Sequence, residues 1–136
     1  MLFIIDSNEY IFAFGALKEE KARTLFNKLL DKTHFHNIRI PRTIFEEVKR
    51  NLSWEAFHEF NSFITTISMI DEDMVVPFEI VFKYESQGFK PADAFIAAYA
   101  EWTGADALIS ENRHFLSRHI NLPFKILTAE NCLKFI

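Results

Sequence analysis

The sequence predicts a three-layer α/β/α sandwich with a central, mostly parallel sheet, formed as one domain over residues 1–136. Three observations carry this. Leu2-Phe3-Ile4-Ile5 and Ala107-Leu108-Ile109 are continuous apolar runs, the pattern of strands buried on both faces. Between them, apolar residues recur at helical spacing, so strands alternate with helices. Asn-Gly and Asp-Gly hairpin signals are missing, and each of the three glycines, Gly15, Gly88 and Gly104, follows a helical pattern.

In chain order, the first strand spans 2–5 and gives way at Asp6-Ser7-Asn8 to a helix over 7–14. A second helix covers 19–31, and a strand at 37–40 leads through Pro41 into a helix over 41–51. The next helix, 53–66, carries Phe57, Phe60, Phe63, Ile64 and Ile67 on one stripe, which assigns most of the sixteen phenylalanines to the core. Asp71-Glu72-Asp73 reads as a loop running into a helix over 74–87. Pro91 opens a helix over 91–103 and Gly104 ends it. The remainder comprises a strand at 106–110, a short turn or helix at 112–118, a strand at 124–127 and a terminal helix from about Ala129. No repeat or low-complexity segment divides the chain.

At 136 residues the chain is long enough to bury a proper core. With 49% hydrophobic and 25% charged residues, its composition is that of an ordinary globular protein. Asp6 interrupts the N-terminal apolar run after five residues, and no run approaches the roughly 18 residues of a membrane span. Neither a secretory signal nor a membrane helix is expected, and the expected compartment is the cytoplasm. Cys132, the single cysteine, sits beside Leu133 and near Phe135 and reads as an inert buried thiol. No Gly-rich phosphate loop is present. His34-Phe35-His36 lacks the further Cys or His that a zinc site needs.

Three acids fall at strand ends or in early helical turns. Asp6 lies at the carboxyl end of the first strand, where ligand crevices form in open parallel sheets. Glu47 follows Ile44 by three residues and precedes Val48, so it faces inward while Glu46 points away. Asp93 shares a face with Ile96, Ala97 and Ala100. Asn112 follows the strand that ends near Ser110. Each residue also has a plainer reading: Asp6 or Ser7 as a helix cap, Asp93 as favourable charge at a positive helix end, Glu47 half-exposed beside Arg50, and Asn112 as a cap or turn residue. Convergence on one side of one sheet favours a shared site.

In this order and spacing, the apolar strand ending in Asp6, the Pro-led helix with Glu47, the helix bearing Asp93 on its Ala-rich face and Ser110-Glu111-Asn112 resemble the PIN domain family over nearly the whole chain. That family includes metal-dependent ribonucleases, many of them toxins of toxin–antitoxin pairs. The resemblance implies an endoribonuclease that hydrolyses RNA with Mg²⁺ or Mn²⁺. Asp6 and Asp93 then stand as metal ligands, Glu47 as a further metal or water-orienting carboxylate, and Asn112 as a catalytic position that usually holds Asp. His114 stands where a second acid is common. Ser7, Asn8 and Ser110 would order water, with Asn112 meeting water or metal through its amide oxygen. It further implies an antitoxin partner and a homodimer. The alternative is a PIN-like module, weakened or inactive in catalysis, that binds RNA or a protein. The net charge of −4 does not advertise nucleic-acid binding, but Lys49, Arg50, Arg113, His114, Arg118 and His119 offer local guides for phosphate, with Lys49 and Arg113 foremost.

Overall fold

The computed structural model describes residues 1–16, 19–117 and 121–136. Strand β1 (Leu2–Ile5) lies at the centre of a five-stranded sheet of order β3-β2-β1-β4-β5. The other strands are β2 (Asn37–Pro41), β3 (Ser68–Asp71), β4 (Ala107–Ile109) and β5 (Lys125–Leu127). Every pairing is parallel, so the sheet is wholly rather than mostly parallel. Parallel neighbours require a crossover, and the intervening helices supply it. They are α1 (Ser7–Phe14), α2 (Glu20–Asp31), α3 (Arg42–Arg50), α4 (Trp54–Ile67), α5 (Phe78–Ser86), α6 (Pro91–Thr103), α7 (Arg113–Leu116) and α8 (Ala129–Leu133).

β1 explains why the chain folds around its N-terminus. Phe3, Ile4 and Ile5 are at most 1% exposed, covered on both faces, and β1 pairs with β2 through Phe3↔Ile38 and with β4 through Ile4↔Leu108. Ser53 caps α4 by accepting from the Ala56 N–H, and Gly104 ends α6 at φ 71°, a conformation that penalises a side chain. Aromatic packing fills one side of the sheet, where Tyr10 stacks on Phe26 and meets Phe60 edge-on.

The sequence reading needs one addition and one shift. Ser68–Asp71, between the helix expected over 53–66 and the loop expected from Asp71, is the edge strand β3, in register with β2 from Ile38↔Ser68 to Pro41↔Asp71. Its pairing is long-range: Arg39 on β2 reaches Asp71 with Nε and Nη2, both at 2.9 Å. The helix expected over 74–87 begins only at Phe78, after Pro77 at its cap and a short 3-10 turn at Asp73–Val75. Strands expected over 106–110 and 124–127 are trimmed to Ala107–Ile109 and Lys125–Leu127.

Candidate functional site

The carboxyl ends of β1 and β4 lie side by side, and that adjacency builds the site. The Asp6 N–H donates to the Ile109 carbonyl at 2.9 Å, continuing the β1–β4 ladder past the last strand residue. Asp6 then caps α1, its Oδ1 accepting from the Ser7 N–H at 2.8 Å. Its Oδ2 accepts from the Ser110 hydroxyl at 2.8 Å. Ser110 is fully buried, and its oxygen also accepts from the Asn112 N–H at 3.0 Å. With that acceptor role taken, the hydroxyl proton is committed to Asp6.

Asn112 closes the chain of contacts. Its Nδ2 donates to Asp93 Oδ1 at 3.3 Å, while its Oδ1 caps α7 by accepting from the His114 N–H at 2.9 Å. The capping bond fixes which end of the amide faces the site. The oxygen expected to meet metal or water accepts one bond from the helix, and the NH₂ group faces Asp93. Capping and site contact are thus two halves of one side chain.

Burial raises the proton affinity of Asp6 above that of an ordinary carboxylate, against the hydrogen bonds from Ser110 and Ser7, and the charges of Glu47 and Asp93 raise it further. The three acids singled out in the sequence therefore share one electrostatic neighbourhood. Glu46, by contrast, turns to Arg42 at 3.7 Å, one helical turn back, although Glu46 and Glu47 are both half-buried. Among the described residues, no group donates to the Glu47 carboxylate or to Asp93 Oδ2. Nor do any three His, Cys, Asp or Glu side chains among them converge tightly enough to enclose an ion.

The remaining candidates divide. Ser7 is buried at the α1 start, whereas Asn8 and Arg113 are exposed. Lys49 does not join the acids: two residues beyond Glu47 lie about 200° around the helix, and its Nζ sits 5.4 Å from the centre of the Phe57 ring. Arg118 and His119 lie outside the described residues.

One acid near the site escaped the sequence reading. Glu9, in the first turn of α1, is 1% exposed and one of its oxygens has no hydrogen-bond partner. Burial, together with Glu111 sharing its proton, lifts its pKa to about 9. Its partner Glu111 lies between Ser110 and Asn112 and accepts from the Ala129 N–H at 3.1 Å. The usable signal was the i,i+4 relation of Glu9 to the buried Ala13.

Known structures support this architecture. One chain of the crystal structure of VapBC2 from Rickettsia felis, bound to a DNA fragment from its promoter, matches with a TM-score of 0.64 at 15% identity, covering 94% of this chain and 98% of that one. No protein-family model and no curated protein matches the chain. At such low identity the likeness is one of fold. An all-parallel five-stranded sheet flanked by helices, with this strand order and this structural neighbour, is a PIN-like fold.

Proposed function

We propose that the protein is a divalent-metal-dependent endoribonuclease that hydrolyses RNA phosphodiester bonds and serves as the toxin of a toxin–antitoxin pair. The observation that carries this is the partly buried Asp6 beside Glu47 and Asp93 at the carboxyl edge of the sheet, with no cationic side chain among the described residues paired with any of the three carboxylates. Such a group of acids is costly alone and is relieved by a cation.

The donor set fits Mg²⁺ or Mn²⁺: hard carboxylate oxygens, too open to enclose an ion fully, suit a cation that keeps several of its waters. Asp6 and Asp93 would hold the ion directly, and Glu47 would hold it or orient a water. An ion held by these residues would supply an activated water and would offset charge developing on the phosphate. The protein's own part is preorganisation. Ser110 and the Ser7 N–H fix the two Asp6 oxygens, and Asn112 fixes Asp93 Oδ1, so the Asp93 oxygen opposite is left to accept. The likeness to a VapBC2 chain supports an antitoxin partner, and the same reading carries a homodimer and a cytoplasmic location.

The Asn112 contact favours a second reading, a weakened or inactive PIN-like module that binds RNA or protein. An amide NH₂ on Asp93 already relieves part of that carboxylate's charge, which lowers the demand for a second cation. Incubating the purified chain with single-stranded RNA and Mn²⁺ decides between them. Cleavage that requires the metal and disappears in Asp93→Asn supports the nuclease; absence of cleavage with retained binding supports the module.

A further inference from the structure

We infer that the corner between α3 and α4 is a stacking platform for an unpaired base of single-stranded RNA, set outside the acidic site; this rests on the ribonuclease reading. Trp54, the first residue of α4, is 73% exposed, a large apolar surface left in water with no packing role to justify it. Its ring is not isolated. Trp54 meets His58 edge-on at 4.0 Å, His58 lies 6.3 Å from Phe57, and the Lys49 ammonium stands 5.4 Å over Phe57. The result is a continuous strip running Trp54, His58, Phe57, Lys49.

Charge selects the occupant. Lys49 and Arg50 are exposed, and neither forms an ion pair among the described residues. Of the acids on the adjoining turns, Glu46 faces Arg42 and Glu59 binds Arg23 at 2.7 Å, while Glu55 and, on the far side of α3, Glu47 have no ion pair among the described residues. On the exposed aromatic face formed by Phe78 and Phe82 of α5, by contrast, the neighbouring lysine, Lys83, is bound to Glu101 at 2.5 Å. Free cations beside an exposed indole suit a polyanion whose bases offer flat π-faces, since stacking tolerates any base while the cations hold the backbone. Lys49 shares α3 with Glu47 but stands about 200° around it, and Trp54 lies seven positions beyond Glu47, at most about 25 Å of chain, so a strand held at the acids would pass around α3 to reach this corner.

The test uses the full chain in EDTA, so that RNA is bound and not cut, with a labelled single-stranded oligonucleotide read by anisotropy and with tryptophan emission read in parallel. Trp54→Ala is expected to weaken binding about 5- to 100-fold, and Trp54→Phe to restore most of it. RNA should quench emission in the wild type and not in Trp54→Ala, which retains Trp102. Lys49→Ala combined with Arg50→Ala should flatten the salt dependence of binding by about one unit in the log–log slope. Unchanged affinity and unchanged quenching in Trp54→Ala overturn the platform while leaving the nuclease reading intact. A wild type that neither binds nor cuts RNA removes that reading and the platform with it. Unaltered RNA binding in Trp54→Ala, with loss of a copurified protein, assigns the strip to a protein partner and also overturns the proposal. Thermal melting of each variant confirms folding, and an exposed residue such as Trp54 is not needed for it.

Discussion

Asp6 and Asp71 both stand at the carboxyl ends of parallel strands on the same edge of the sheet, and their surroundings are opposite. Asp71 is answered in full: Arg39 binds both its oxygens, and the buried Tyr99 hydroxyl donates to Oδ2 at 2.5 Å. Burial pushes its proton affinity up, but Arg39 and Tyr99 outweigh this and hold Asp71 below an ordinary aspartate. Asp6 receives a backbone N–H and a hydroxyl and has two further acids as neighbours, so burial wins and its proton affinity rises. A carboxylate with a built-in guanidinium is finished structure. One that is set among other carboxylates is an incomplete arrangement, which the proposed cation would complete.

The sharpest way to break this comparison is to neutralise one acid from each region. Asp93→Asn is expected to lower metal-dependent cleavage at least about 100-fold, the scale of losing a group that positions the reacting water, and to remove most of the melting-temperature gain produced by Mn²⁺. Asp71→Asn is expected to leave cleavage within a few-fold and to cost about 1–3 kcal/mol of stability, because Arg39 loses its charged partner. Equal loss of activity in both variants would erase the distinction.

Asn112→Asp sharpens the comparison from the other side. The new carboxylate keeps an oxygen for the His114 N–H, yet presents its second oxygen to Asp93 Oδ1, where the wild type has a donor at 3.3 Å. Without metal, the variant should melt lower than the wild type by a few degrees. With Mn²⁺ the order should reverse. A variant that melts lower under both conditions would show that no cation enters between residues 93 and 112.

Two smaller effects concern pH. Asp6 has a folded-state pKa raised above its unfolded value, so its stabilising contribution is full below about pH 4 and is lost as pH rises through the folded value. Metal-free Asp6→Asn should therefore melt higher than the wild type at pH 7, while on the nuclease reading its RNA cleavage should be lost. Glu9 behaves likewise over a wider window, from an ordinary 4.5 to about 9. The melting temperature of the wild type relative to Glu9→Gln should fall steadily across that window and level off above it. A flat difference would place an ionised Glu9 in the folded state at neutral pH.

Much of this was legible in the sequence, for identifiable reasons. Asp6, Glu47 and Asp93 could be placed because each sits next to a strong local signal: a doubly buried strand, a proline-led helix, an alanine-rich face. β3 could not, because Ser68-Met69-Ile70-Asp71 is short, lies at the sheet edge and gains its definition from β2 and Arg39, thirty-odd residues upstream. The orientation of Asn112 was hidden for a related reason. Nothing in the string of letters says which end of an amide a helix will use. The side of α3 that Lys49 takes could not be read from its nearness to Glu47, since two residues along a helix is nearly the opposite face. Glu9 was passed over because an acid in a first turn ordinarily needs no further account.

The divided duty of Asn112 bears on how such a protein changes over generations. Asparagine and aspartate codons differ at one base, and both side chains offer the oxygen that α7 requires. A single transition therefore exchanges a donor for a negative charge beside Asp93 while the helix start is preserved. Passage between a site with three carboxylates and one with four is a step without a misfolded intermediate, open in either direction to selection on how strongly the protein should act.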